Sequence, residues 1–120
     1  MIDKGSGWRS RVAISGGILS VGLLLSAAAG GDDLPAISIT IKDHHFAPSD
    51  IHVPQGKPVT LKITNTDATP EEFDSPALKV EKVIVGGTYG IIRLRPLGRG
   101  RYPFSGEYHP DTARGVVISE

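Results

Sequence analysis

Residues Gly100 to Val117 read G-R-Y-P-F-S-G-E-Y-H-P-D-T-A-R-G-V-V. Tyr102 and Phe104 alternate with polar neighbours, and Val116 to Ile118 forms a second apolar run at the end of the chain. Two such runs joined by a polar stretch predict two neighbouring strands with a loop between them. That loop carries Glu107 and His109, and Pro110 restricts the backbone directly after the imidazole. The chain has no cysteine, and its single methionine is Met1. Thiolate and thioether chemistry are therefore absent from whatever this loop does.

Working outward, the same period of two recurs upstream. Ala36 to Lys42 sets Ile37, Ile39 and Ile41 against Ser38, Thr40 and Lys42, and Pro58 to Asn65 sets Val59, Leu61 and Ile63 against polar partners. Asp50 to Val53 is a short strand that stops at Pro54-Gln55-Gly56, with Ile51 and Val53 inward and His52 on the surface. Lys79 to Val85 places Val83 and Val85 on one face, Gly86-Gly87 marks a turn, and Tyr89 to Leu94 follows. No stretch of this part shows a helical apolar period. Short strands with turns about every ten residues predict an all-β sandwich of about seven strands. Its core is expected to include Ile39, Ile41, Val59, Leu61, Ile63, Tyr102, Phe104 and Val117.

The N-terminal segment reads differently. Lys4, Arg9 and Arg11 precede an uncharged run from Val12 to Gly31, which contains Ser26-Ala27-Ala28-Ala29 near its end. A basic head, an apolar middle and small residues at the exit predict a signal peptide over 1–29, cleaved after Ala29. An uncleaved membrane anchor is the alternative, because about 20 apolar residues can span a bilayer. No twin-arginine pair is present. Residues 30–120 then form one small domain that is periplasmic or otherwise exported. From Gly30 onward ten basic residues face twelve acidic ones, a balance that gives no sign of nucleic acid as a partner, and none is expected. With no disulfide available, the domain must hold by packing alone.

Several pieces together resemble the cupredoxins: Phe46-x-Pro48, Ile51-x-Val53-Pro54-x-Gly56-x-Pro58-Val59, Asn65-x-Asp67, Gly100-x-Tyr102-x-Phe104, and His109. Within that family the chain looks most like the cupredoxin-like domains of bacterial periplasmic iron-uptake proteins of the EfeO type. The shared flavour lies in Thr69-Pro70-Glu71-Glu72-Phe73 and Gly106-Glu107-Tyr108-His109-Pro110-Asp111. The resemblance implies an antiparallel Greek-key sandwich with a metal site at one end. Blue-copper members carry Cys-x-x-His where this chain has Gly106-Glu107-Tyr108-His109. Their first His falls in the region of Glu71 and Glu72, and their Met falls near Ala113 or Arg114. One ligand is kept, one becomes carboxylate, and two are lost.

The resemblance therefore implies a metal set of Glu71, Glu72, Glu107 and His109, with His45 on the rim. His45 is preferred to His44 because it adjoins Phe46, which anchors the loop inward. Carboxylate and imidazole donors suit Cu(II) or Fe(III) and exclude a blue-copper electron carrier. The expected function is metal binding in iron or copper acquisition, with a membrane iron permease or periplasmic protein as partner. The alternative is a metal-free interaction module. No catalytic residues are expected: Ser105 lies outside any nucleophile motif, and a domain this small leaves little room for a substrate pocket. Arg93 and Arg95 are expected on a solvated sheet face.

Overall fold

The computed structural model describes residues 36–120, so the predicted signal segment at 1–29 lies outside the described residues. Nine strands follow one another: β1 (Ala36–Lys42), β2 (His45–Ala47), β3 (Asp50–Val53), β4 (Val59–Asn65), β5 (Glu71–Ser75), β6 (Val80–Ile84), β7 (Tyr89–Leu94), β8 (Gly100–Gly106) and β9 (Arg114–Ser119). There is no helix among the described residues. The strands form two sheets, one in the order β2-β1-β4-β7 and one in the order β3-β9-β8-β5-β6.

The all-β sandwich expected from the sequence is present, with two strands more than the alternation revealed. β2 was hidden by its three-residue length, and β5 by its composition, because Glu-Glu-Phe-Asp-Ser reads as an acidic loop. The sheets are also not wholly antiparallel: β1 runs parallel to β4, and β3 runs parallel to β9. Parallel neighbours need a crossover rather than a tight turn. Here β3 provides it by leaving the first sheet for the second before the chain returns as β4.

Alternation places the core. In β4 every second residue is buried (Val59, Leu61, Ile63 and Asn65), and the inner faces of β1 and β7 meet it with Ile39, Ile41, Ile92 and Leu94. Against them the second sheet sets Ile51, Phe73, Ile84, Phe104 and Val117. Three aromatic rings bind the sheets together. Phe73 stacks on Phe104 at 4.7 Å, and both meet Phe46 edge-on at 5.9 and 5.0 Å. Tyr102 is only partly buried and donates its hydroxyl to the Gly98 carbonyl, as a phenol does at a core margin. Val83 and Val85 do share a face, but it is the exposed one, and Ile84 between them points inward. His52 is on the surface beside Glu120, and Arg93 and Arg95 are exposed.

Candidate metal centre

At one end of the sandwich the turn 43–44, the segment 66–70 and the loop 107–113 come together. Asn65, fully buried at the end of β4, organises this pole. Its Nδ2 donates to the carbonyls of Thr69 and Ile84, and its Oδ1 accepts the Asp67 N–H at 3.0 Å. A buried amide needs such partners, and these tie the 66–70 segment and the end of β6 to one side chain.

β5 starts at this pole. Glu71 and Glu72 are neighbours on a strand, so they point to opposite faces. Phe73 faces the core, which turns Glu72 outward. Glu71 turns inward and is 1% exposed. Its Oε1 accepts the N–H groups of Glu72 and Tyr108 at 3.0 and 2.9 Å. Its Oε2 stands 2.6 Å from Nδ1 of His109. The hairpin loop fixes that imidazole: Ala113 N–H donates to the His109 carbonyl at 2.9 Å, and His109 N–H donates to that of Gly106 at 3.1 Å. Glu71 and His109, both expected at the site, are thus in direct contact.

Gly106 stands where the resemblance places the cysteine of blue-copper proteins. A Cβ at that position would lie 2.6 Å from Cδ of Glu71, 2.7 Å from its Oε2 and 2.6 Å from Cβ of Ala113. The carboxylate of Glu71 and the methyl of Ala113 therefore occupy the space that a thiolate side chain would need. A type 1 copper does not fit these residues. The donors that are present, one carboxylate and imidazole, fit a hard or borderline ion instead.

The remaining candidates are placed as follows. His44, and not His45, accompanies His109: the two rings stack at 3.5 Å with 10° between their planes. His45 is exposed, with Nδ1 2.8 Å from the Asp43 carbonyl. Alternation explains the swap, because Phe46 points inward and its strand neighbour His45 must point out. Glu107 is exposed and reaches β5 only through its N–H, which donates to the Glu72 carbonyl. Glu72 joins Asp74 and Glu81 on the outer face, where one oxygen of each lies within 4.8 Å of the others. Asp74 and Glu81 are directly opposed across the β5–β6 pair. Removal from water raises the Glu72 pKa above its ordinary value, and the charges of Glu81, Asp74, Glu107 and Glu71 add to the rise. Such a carboxylate group could accept a hard cation.

Sequence reasoning passed over Asp67. The turn between β1 and β2 has two central residues in the left-handed region, Asp43 at φ 52° and His44 at φ 61°. Two positive φ values in a two-residue hairpin loop are the mark of a type I′ turn, which usually takes Asn-Gly. Here Asp67 compensates: its two carboxylate oxygens accept the Asp43 and His44 N–H groups at 2.7 and 2.9 Å. Nothing local to Asp67 signals this role, because the turn it clamps lies 23 positions away.

This clamp is sensitive to acid. The His44 N–H bond depresses the Asp67 pKa below its ordinary 3.8; desolvation opposes it, and the Asp43 N–H and the charges of His44 and His109 assist. A carboxylate with a lowered folded-state pKa stabilises fully above its unfolded pKa, and the contribution disappears as pH falls through the folded value. Asp67→Asn is therefore expected to lower the melting temperature at pH 7. The gap from wild type should close as pH is brought well below 4. A gap that persists unchanged in acid would mean that the carboxylate charge is not what holds the turn.

An open groove of about 590 Å³ begins beside the 107–113 loop, lined by Asp74, Pro76, Pro103, Ser105, Pro110 and Arg114 among others. No imidazole lines it.

The family model of the cupredoxin-like domain matches residues 17–119. An uncharacterised protein of Rickettsia prowazekii (strain Madrid E) is 41% identical over 87 residues, covering 72% of this chain and 70% of that protein. Among solved structures, auracyanin A, a blue copper protein of Chloroflexus aurantiacus, matches with a TM-score of 0.62 at 15% identity, over 72% of this chain and 98% of its own. The metal-binding domain of the Cu(I)-exporting P-type ATPase CopA of Streptococcus pneumoniae D39 matches at 0.60 and 18% identity, over 71% and 84%. At those identities the structural likeness concerns the fold.

Proposed function

The chain belongs to the cupredoxin-like domain family, and from that premise we propose an exported protein that binds Cu(II) or Fe(III) at the Glu71–His109 pole. It serves iron or copper acquisition and hands its ion to a membrane iron permease or a periplasmic partner. The single observation carrying this reading is the 2.6 Å contact between a buried carboxylate and the one retained imidazole. Auracyanin A is a copper protein and the CopA domain was solved with Cu(I). This chain has the same fold but no cysteine, and it offers an imidazole held by a carboxylate. Such a donor suits Cu(II) or Fe(III) better than Cu(I). A centre that favours one oxidation state suits carriage better than repeated electron transfer, so the role is binding and delivery rather than catalysis. The uncharged run ahead of Gly30 supports export.

Calorimetry with Cu(II), Fe(III) and Zn(II) tests the reading. Saturable binding is expected in the wild type, with at least about tenfold loss in a Glu71→Gln/His109→Ala double variant. The Cu(II) form should lack the intense thiolate charge-transfer colour of type 1 sites. Equal affinity in the double variant would reject the site.

One observation favours the second reading, a metal-free interaction module. Both oxygens of Glu71 already have protein partners. Without a metal, the pair is a structural plug in the space a copper centre would occupy. Absence of saturable binding by any of the three ions would select that reading.

A further inference from the structure

We infer that His109 meets the metal through Nε2, and that Glu71 is a positioning residue holding Nδ1 rather than a ligand. The inference rests on the reading that an ion binds at this pole, and it names the atom that would take it.

Neither the line between the pair nor the Gly106 side of it has room for an ion. Ligand nitrogen and oxygen lie about 2.0–2.2 Å from a bound Zn(II). An ion placed in line between Oε2 and Nδ1 would need them about 4 Å apart by those lengths, and they stand 2.6 Å apart. An ion set to one side would need a recess beside Oε2. On the Gly106 side that recess is filled, because one carbon added to Gly106 would collide with the Glu71 carboxylate and with the fully buried Ala113. Glu71 is also fully engaged: Oε1 accepts two backbone N–H groups, and Oε2 faces the imidazole. Making it a ligand would strip a buried carboxylate of bonds that the fold has built for it.

The outer edge of His109 is different. The His109 side chain is 27% exposed, although Nδ1 lies against a carboxylate that is 2% exposed. The exposed part of the side chain therefore lies elsewhere than Nδ1. Nε2 has no hydrogen-bond partner among the described residues. A carboxylate oxygen facing Nδ1 makes Nδ1 the protonated nitrogen, and Nε2 then carries the in-plane lone pair. A carboxylate that holds one ring nitrogen so that the other can bind metal is a common second-layer arrangement, and it raises the basicity of the ligand.

His44 completes the geometry. Its ring covers one face of His109 at 3.5 Å, and Asp67 anchors the turn that carries it. Stacking on a face leaves the in-plane Nε2 lone pair open. The two rings are within 10° of parallel, so their lone pairs do not converge on one point. His44 thus limits approach to the edge and does not chelate with His109. An ion held by a single protein nitrogen keeps several positions for water or for a partner's donor. Such an ion is labile, as hand-over requires.

The test uses the full chain labelled with nitrogen-15 and Zn(II) as a diamagnetic probe. Long-range proton–nitrogen spectra of the imidazoles are expected to show His109 protonated at Nδ1 without metal. Adding Zn(II) should shift Nε2 alone, with Nδ1 keeping its proton. Glu71→Gln should weaken binding by about 10- to 100-fold, while the Cu(II) electron paramagnetic resonance pattern stays that of the wild type. Loss of the Nδ1 proton on adding Zn(II), or a changed Cu(II) pattern in Glu71→Gln, would overturn the assignment while leaving a metal site at the pole. If neither nitrogen responds and Cu(II) gives only the free-ion spectrum, the metal reading itself fails, and this assignment with it. The wild-type spectra decide the question even where Glu71→Gln folds poorly.

Discussion

Gly106→Ala is expected to destabilise the domain by about 3 kcal/mol, the upper end for overpacking a dense core. The new methyl would stand 2.6 Å from Cδ of Glu71 and 2.6 Å from Cβ of Ala113. Both neighbours are fully buried, so neither can swing into solvent. The ordinary gain from replacing a strand glycine, about 0.5–1 kcal/mol, offsets only part of this. The site-specific prediction is the coupling. In a Glu71→Ala background the carboxylate contact is gone and only Ala113 resists, so the added cost of Gly106→Ala should fall by at least about 1 kcal/mol. Urea denaturation of the four proteins measures it. An equal cost in both backgrounds would show that Glu71 does not fill the space beside residue 106.

Phe73→Ala is expected to cost about 3–5 kcal/mol, the range for emptying a large buried aromatic site. Phe73 has no exposed surface and touches Phe104 and Phe46, one ring from each end of the sandwich sequence. Its neighbours sit in two sheets that cannot close on the void without moving strands. Phe73→Leu should retain most of the stability, since it keeps apolar volume in the same place. A loss under about 1 kcal/mol for the alanine variant would mean that the aromatic triad does not carry the core. The effect reaches the pole through phase. Phe73 inward is what sends Glu71 inward and Glu72 outward, so loosening β5 should also broaden the His109 resonances.

The strand positions of the core were legible because alternation is a local property. Ile39, Ile41, Leu61, Ile63, Ile51 and Val53 each have polar neighbours, and a strand with one wet face buries the other. The same rule, applied to Phe46 and Phe73, sends His45 outward and separates Glu71 from Glu72. It was not applied there because β2 is three residues long and β5 looks like an acidic loop. The Lys79–Val85 stretch shows the converse. It lies on an edge strand, where the face bearing Val83 and Val85 is exposed and Ile84 is the buried residue. Apolar character alone does not say which face of an edge strand is covered.

By itself the sequence determined the all-β class, the period-two core, the exclusion of thiolate copper chemistry and the imidazole at His109 in the last loop. These follow from residue identity and near-neighbour spacing, which need no knowledge of the rest of the chain. Tertiary structure alone decided the composition of the pole. Glu71 and His109 are 38 positions apart and Asp67 and His44 are 23 apart, yet each pair is in direct contact. Whether an acidic residue is solvated or buried against an imidazole depends on what the opposite strand brings to it. In this chain a glycine at position 106 leaves the carboxylate its place, and no local pattern around Glu71 records that the glycine is there.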